Sequence, residues 1–177
     1  MIGNRNSGKS DLAEALAIKT GDLRRYYLAT MKIYDEEGKK RVARHRMQRA
    51  GKGFLTIEKE YGILDALEKM EDPMQSTVLL ECMSNLVGNE MFENKKRSFV
   101  SGADEPDWMG FADEVTLEIM QLADRVHNLI IVSNAYDENG EGYDDETRLY
   151  VKLLHTVNER LLGFADRIYD LREGRKS

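Results

Sequence analysis

The stretch from Gly3 to Ser10, which reads Gly-Asn-Arg-Asn-Ser-Gly-Lys-Ser, constrains this chain more than any other. It fits the pattern Gly-x-x-x-x-Gly-Lys-Ser/Thr, whose glycines let backbone N–H groups wrap a phosphate while the next helix points its positive end at the anion. Lys9 is placed to reach the β- and γ-phosphates, and the Ser10 hydroxyl to ligate Mg²⁺. The predicted nucleotide-binding residues of this phosphate loop are Gly3, Asn4, Arg5, Asn6, Ser7, Gly8, Lys9 and Ser10.

A loop of this kind follows a buried strand, but only Met1 and Ile2 precede it here. Two explanations are open: the native chain begins upstream of Met1, or the strand is missing and the loop is poorly supported. We favour the shortened start, which predicts a distorted loop.

Composition limits the kind of protein that the chain can be. Its 177 residues are 41% apolar and 33% charged, so we expect one domain over residues 1–177. A net charge of −6 and a pI near 5.2 argue against nucleic acid as the main partner. Cys82 is the only cysteine, which excludes an intrachain disulfide and suits a reducing cytoplasm. We expect no membrane span, because no apolar run is long enough.

Helical and strand patterns alternate along the chain. The apolar runs lack polar alternation, which indicates strands buried on both faces by the helices between them. This order predicts an α/β fold, P-loop NTPase-like (RecA-like), with a mostly parallel sheet and helices on both faces. The predicted strands are 26–29, 54–58, 77–80, 129–132 and 167–171; the predicted helices are 10–18, 39–49, 63–70, 84–92, 111–126 and 148–164; and 93–107 is predicted to be a mobile loop.

An acidic residue closes the clearest of these strands. Glu81 follows Leu79 and Leu80, where enzymes with a phosphate loop place a carboxylate that holds Mg²⁺ at the tip of a neighbouring strand. A carboxylate there could instead only end the strand and cap the next helix near Ser84. The presence of the phosphate loop favours the nucleotide site, so Ser10 and Glu81 are the predicted metal ligands.

A histidine lies within a basic predicted helix. The arginines around His45 can clamp phosphate oxygens, since the planar guanidinium group suits that task. Nearby cations disfavour imidazolium, which leaves a neutral ring nitrogen free to attack phosphorus and form a phosphoramidate. A lone histidine on a basic helix is usually a surface residue, so composition alone does not establish this chemistry. The arginines are Arg41, Arg44, Arg46 and Arg49.

Further short motifs extend along nearly the whole chain. They are Ala29-Thr30, Asp35-Glu36-Glu37, Arg41, His45-Arg46 with Arg49, Thr56-x-Glu58, Leu79-Leu80-Glu81-Cys82 with Asn85-Leu86, Val132-Ser133-Asn134, Arg148 and Asn158. With the phosphate loop, this order resembles the bifunctional adenosylcobinamide kinase / adenosylcobinamide-phosphate guanylyltransferase family of cobalamin biosynthesis. The loop alone is shared by many families, whereas the combination is far more specific.

The resemblance implies a two-step cytoplasmic enzyme. A nucleoside triphosphate first phosphorylates the aminopropanol hydroxyl of adenosylcobinamide. The protein then takes GMP from GTP onto a histidine, releases pyrophosphate, and passes GMP to adenosylcobinamide phosphate, giving adenosylcobinamide-GDP. The resemblance also implies GTP and ATP as substrates, Mg²⁺ as cofactor, and a homotrimer with sites between subunits.

By position, the resemblance makes His45 the guanylylated residue, with Lys9 as the second catalytic residue. Beyond the phosphate loop, the implied nucleotide-binding residues are Thr30, Met31, Lys32, Arg46, Met47, Gln48, Arg49, Glu58 and Glu81.

Departures from the family pattern cluster in the C-terminal half. After Asn134 the chain continues Ala135-Tyr136 where the family has Glu-Val, and Tyr150-Val151-Lys152 replaces Phe-Arg-Asp. Corrinoid recognition or the kinase step is therefore the function most open to change. Two other functions stay open: a small-molecule P-loop kinase in which the histidine only contacts phosphate, and a degenerate GTP-binding regulator. The choice of ATP or GTP as phosphoryl donor is open too.

Overall fold

The structure, a computed structural model, describes residues 1–4, 6–32, 36–49, 51–94, 107–137 and 140–172, without the side chains of residues 37, 41, 42, 44–46 and 48. The strands in these ranges are β1 (Ile2–Gly3), β2 (Arg24–Ala29), β3 (Phe54–Glu58), β4 (Ser76–Glu81), β5 (Asn128–Asn134) and β6 (Asp170–Leu171). The helices are α1 (Lys9–Lys19), α2 (Glu36–Arg49), α3 (Met83–Phe92), α4 (Trp108–Ala123) and α5 (Asp145–Phe164), with short 3₁₀ helices at Ile63–Lys69 and Pro73–Gln75.

The six strands form one parallel sheet in the order β3-β2-β4-β5-β1-β6. Its centre is apolar on both faces, since Val78, Leu79 and Leu80 of β4 are all fully buried. A strand buried on both sides needs a helical layer on each, and the run of apolar residues in β4 reflects this. The predicted α/β fold with a parallel sheet is confirmed.

Alternation along the strands divides the core into two clusters. Leu80 faces the larger one, where residues of α3, α4, α5 and the 3₁₀ helix Ile63–Lys69 pack together. Leu79 faces a smaller cluster with Ala13 of α1, Tyr27 of β2 and Val132 of β5. Helix α1 therefore covers one face of the sheet, and the three later helices cover the other.

A short strand does precede the phosphate loop. Ile2 of β1 lies opposite Ser133 of β5 on one side and Asp170 of β6 on the other. The N–H of Ser133 also donates to the Met1 carbonyl at 2.8 Å, so the start of the chain is tied into the sheet. Of the two explanations, the missing strand is wrong, because Ile2 and Gly3 pair with strands on both sides.

Several predicted boundaries shift because capping groups are polar and lie outside the apolar periodicity. Helix α4 begins at Trp108, after Asp107 accepts a hydrogen bond from the Gly110 N–H at 2.8 Å, and α5 begins after Asp144 accepts one from the Thr147 N–H at 2.8 Å. The predicted helix 63–70 is a 3₁₀ helix, and the closing strand shrinks to Asp170–Leu171. Most of the predicted mobile loop, residues 95–106, lies outside the described residues.

Among the described helices, none combines the length and apolarity needed to cross a membrane.

A buried carboxylate joins the amino ends of β4 and β5. Asp22 accepts hydrogen bonds from the Thr77 hydroxyl at 2.6 Å and the Asn128 amide at 3.0 Å, and Nδ1 of His127 lies 2.9 Å away. The Asp22 side chain is only 10% exposed. Burial opposes its ionisation, but these hydrogen bonds outweigh burial and hold the pKa of Asp22 below its usual value.

We expect Asp22→Asn to lower the free energy of unfolding by about 1–2 kcal/mol at pH 7, since it weakens a satisfied buried acceptor. Because the folded-state pKa is lowered, the carboxylate stabilises the fold above the unfolded pKa of about 4 and loses that effect as pH falls through the folded pKa. The difference between wild type and variant should therefore shrink below about pH 4. Urea unfolding from pH 7 to pH 3 measures this, with the exposed Asp166→Asn as control. Equal unfolding curves for wild type and Asp22→Asn would contradict it.

Candidate nucleotide site at the carboxyl ends of the strands

The two glycines of the phosphate loop are required by its backbone. Gly8 precedes α1 with a φ of 80°, in the left-handed region where side chains are strained. Gly3 has an ordinary φ but no room: a Cβ there would lie 2.7 Å from Oγ of Ser7 and 3.0 Å from Cβ of Leu171. The loop thus turns tightly against β6 before entering the helix.

Polar groups of the loop are placed to accept an anion. Helix α1 has no side-chain cap at Gly8, so its first-turn N–H groups face the loop without a side-chain acceptor. The buried hydroxyl of Ser7 has no hydrogen-bond partner among the described residues. A phosphate at this helix end would satisfy both kinds of donor.

Lys9 supplies a cation beside these donors. It is 7% exposed, and its Nζ donates to the carbonyl of Asn4 at 3.0 Å, which holds the side chain back across the loop. Burial lowers the pKa of Lys9, against the opposing attraction of Cys82 and Glu81. A partly desolvated ammonium gains from a phosphate partner, so its position fits the predicted role.

Ser10 and Glu81 meet directly. The Ser10 hydroxyl donates to Oε1 of Glu81 at 2.5 Å, and the Tyr27 hydroxyl donates to Oε2 at 3.0 Å. Strand β5 lies between β1 and β4, so Glu81 ends the strand next but one to the strand of the loop. The contact forms because α1 crosses over both β4 and β5.

The donor set at this point suits Mg²⁺. A hydroxyl and a carboxylate offer the oxygen ligands that Mg²⁺ prefers, and Mg²⁺ commonly completes its shell with water and substrate phosphates. Among the described residues, no group of three or more histidine, cysteine, aspartate or glutamate side chains forms a larger metal cluster. Ser10 and Glu81 would therefore hold the ion together with the nucleotide.

Two further predicted residues at this edge of the sheet, Glu58 and Thr30, differ in their surroundings. Glu58 and Glu81 lie in one row on either side of Ala29, two strand spacings or about 10 Å apart. Thr30 is fully buried, and its hydroxyl donates to the Cys82 carbonyl at 2.9 Å and accepts from the Cys82 N–H at 2.8 Å. Thr30 thus ties the ends of β2 and β4 together.

The segment after β2 is anchored to the end of α3. Met31 and Lys32 are half-buried, and Nζ of Lys32 pairs with Oε2 of Glu93 at 2.8 Å. This fixes the course of the chain as it leaves the sheet edge.

Helix α2 reaches the site through its last residue. Arg49 is 6% exposed, with its guanidinium carbon 3.4 Å from the ring centroid of Tyr27 and an amino nitrogen 3.9 Å from Oε1 of Glu14. Met47, by contrast, is 77% exposed. The backbone of His45 lies one helical turn before Arg49, so α2 carries it near the end that contacts β2. The side chains of His45, Arg46 and Gln48, and all of Arg5, lie outside the described residues.

Two residues that the sequence did not single out join this arrangement. Tyr27 sits in an apolar run and reads as core, and Glu14 follows Ser10 by one turn of α1. Only that helical spacing could have indicated that Glu14 faces inward. Nothing in the sequence pattern separates Tyr27 from its neighbour Tyr26.

Two of the departures from the family pattern, Tyr136 and Tyr150, come together in space. The rings of Tyr136 and Tyr150 lie 6.3 Å apart, and the Tyr150 hydroxyl donates to the Ser84 carbonyl at 2.9 Å. The amide of Asn134 donates to the Ser84 hydroxyl at 2.7 Å. They form one patch at the carboxyl end of β5, beside the start of α3.

Comparison with known proteins extends the similarity beyond the phosphate loop. A family model described as CobU, cobinamide kinase / cobinamide phosphate guanyltransferase, matches residues 1–177. The bifunctional adenosylcobalamin biosynthesis protein CobU of Escherichia coli (strain K12) is 30% identical, over 96% of this chain and 92% of that protein.

Proposed function

Since the chain belongs to the cobinamide kinase / cobinamide phosphate guanyltransferase family, we propose that it catalyses both reactions on adenosylcobinamide, through a guanylylated histidine. The observation that carries the proposal is the contact between Ser10 and Glu81 beside the buried Lys9. It joins a phosphate loop to a carboxylate at a strand end, which is the arrangement that transfer of a phosphate group requires.

In the first reaction, the hydroxyl of the aminopropanol arm attacks the γ-phosphorus of ATP or GTP. A new O–P bond forms, the bond to the nucleoside diphosphate breaks, and the hydroxyl proton is released. The loop N–H groups and Lys9 hold the phosphates and stabilise the developing charge, so positioning does most of the work. Mg²⁺ held by Ser10 and Glu81 would neutralise charge on the β- and γ-phosphate oxygens.

In the second reaction, a neutral ring nitrogen of His45 attacks the α-phosphorus of GTP. The P–N bond forms as the bond to pyrophosphate breaks, leaving GMP on the histidine. A phosphate oxygen of adenosylcobinamide phosphate then attacks the same phosphorus, which breaks the P–N bond and yields adenosylcobinamide-GDP. The basic character of α2 supports this role, since its arginines can hold the phosphates of the donor.

We extend the proposal to the nucleotide contacts and the assembly. GTP would be bound by the phosphate loop and by the other residues that the resemblance implies, in a cytoplasmic homotrimer with sites between subunits. Light scattering coupled to size-exclusion chromatography tests the assembly, and a mass three times that of the 20.3 kDa chain is the expected result.

Labelling tests the chemistry. The protein is incubated with α-labelled GTP and Mg²⁺, denatured and separated from free nucleotide. We expect the label to stay bound after denaturation, to be lost in acid and to survive base, as for a phosphoramidate. Pyrophosphate should be released in an amount equal to the bound label. A regulator would bind GTP without label. Denatured wild-type protein free of label would overturn the guanylyl-histidine step.

A second assay tests the kinase step alone. Transfer of the γ-phosphate to adenosylcobinamide is followed with ATP and with GTP in parallel. We expect transfer of the γ-phosphate. Guanylylation of supplied adenosylcobinamide phosphate without any phosphorylation of adenosylcobinamide would show that this chain lacks the first activity, as the departures in its C-terminal half allow. A plain kinase would transfer the γ-phosphate but never carry GMP.

A further inference from the structure

We propose that Tyr27 is a positioning residue of the nucleotide site, whose hydroxyl orients the Glu81 carboxylate and whose ring holds Arg49 at the end of α2. The inference rests on the proposed function for its activity readouts, but it makes a separate claim about how the site is held.

The hydroxyl of Tyr27 fixes one oxygen of Glu81 and leaves the other for Ser10. Tyr27 is 5% exposed and donates to Oε2 at 3.0 Å, while Ser10 donates to Oε1 at 2.5 Å. One donor would let the carboxylate rotate about its last bond, whereas donors on both oxygens define its plane.

The ring of Tyr27 provides a surface for a buried cation. The guanidinium carbon of Arg49 lies 3.4 Å from the ring centroid, and Arg49 also pairs with the carboxylate of Glu14. Glu14 is shared, because it also accepts a hydrogen bond from Nζ of Lys52 at 2.5 Å. The buried Nε of Arg49 has no hydrogen-bond acceptor among the described residues. A desolvated guanidinium with few acceptors depends strongly on the aromatic face below it.

Tyr27 therefore touches both halves of the site. Its hydroxyl contacts the carboxylate that the metal would use, and its ring contacts the residue that anchors α2 one turn after His45. A shift of Glu81 or of Arg49 would therefore displace the other, because one rigid side chain makes both contacts.

The adjacent Tyr26 offers a matched comparison. It is 2% exposed on the opposite face of β2, where its hydroxyl accepts from the Glu71 N–H at 2.8 Å. Both tyrosines are thus buried and hydrogen-bonded, but only Tyr27 reaches the site. Loss of the Tyr26 hydroxyl reports what a purely structural tyrosine contributes.

The test compares Tyr27→Phe with Tyr26→Phe in the full-length protein. For Tyr27→Phe, the Mg²⁺ concentration that half-saturates the labelling reaction should rise at least about tenfold, the lower end of the effect of one lost hydrogen bond to a charged group. The Kd of Mn²⁺ with a non-hydrolysable GTP analogue, read by electron paramagnetic resonance, should rise by the same factor. Tyr26→Phe should lower thermal stability and leave both constants unchanged.

The ring is tested by Tyr27→Leu, which should label at least about tenfold more slowly than Tyr27→Phe at saturating Mg²⁺, because Arg49 loses its aromatic face. If Tyr27→Leu does not fold, Arg49→Lys removes the planar stacking instead and should slow labelling at saturating GTP and Mg²⁺.

If Tyr27→Phe has the same half-saturating Mg²⁺ concentration and the same Mn²⁺ Kd as the wild type, the hydroxyl does not orient Glu81. If Tyr27→Leu, or Arg49→Lys in its place, labels at the wild-type rate, the claim that the ring holds Arg49 fails. If wild-type protein carries no label, the guanylyl-histidine proposal fails, and the Mn²⁺ measurement still decides whether Tyr27 orients Glu81.

Discussion

Replacing His45 by alanine should reduce the covalent GMP label to background and slow guanylyl transfer by at least about 10³-fold, the scale expected when a nucleophile is removed. Non-covalent GTP binding should persist, because the phosphate loop with Lys9 and Ser7 is untouched. Phosphorylation of adenosylcobinamide should persist as well, since no step of that reaction uses the ring. The variant would thus separate the two activities.

The chain provides its own controls for this result, since it contains only three histidines. His155 is 45% exposed on α5, where Nδ1 lies 3.7 Å from Glu159, and His155→Ala should label like wild type. His127→Ala should label too, although it loses the contact with Asp22 at the opposite end of the sheet. Label that survives in His45→Ala would mean that another residue accepts GMP.

Lys9→Met should lower both activities by about 10²–10³-fold, the usual loss when one preorganised donor to transition-state charge is removed. The same change should leave thermal stability unchanged or slightly raised. Burial lowers the pKa of Lys9, so the charged form is held at a cost in folding free energy that an apolar side chain of similar length does not carry. Opposite effects on activity and stability are typical of residues kept for function.

The measurement pairs single-turnover rates with a thermal melt, and Lys19→Met is the matched control. Lys19 lies exposed in the last turn of the same helix, so its replacement should change neither rate. A large loss of stability in Lys9→Met would instead indicate that the bond from Nζ to Asn4 holds the loop together. The activity loss would then reflect collapse of the loop.

The elements were largely predictable because their signals are local. The apolar run of β4 and the helical spacing in α1 depend only on neighbours along the chain, and β3 was predicted with the bounds that the structure shows. The starts of α4 and α5 were less accurate, because Asp107 and Asp144 each begin a helix through a single hydrogen bond that periodicity does not encode.

The phosphate loop was predicted with its glycines because their residue type and fixed spacing are read directly from the sequence. The positive φ of Gly8 is a property of its own backbone, and it appears in the sequence as a residue type. Glu81 was found by its place at a strand end, a position that sequence also records. The family resemblance added His45, which residue chemistry alone left between a surface role and catalysis.

The sequence by itself therefore determined the α/β class, the phosphate loop and the carboxylate that faces it. Only the tertiary structure decided that β1 pairs with both β5 and β6, and that β5 separates β1 from Glu81. It also decided that Tyr27, rather than Tyr26, meets Glu81 and Arg49. The reason is physical: these contacts join segments far apart in the chain, so they depend on strand order and on which face of the sheet each helix covers.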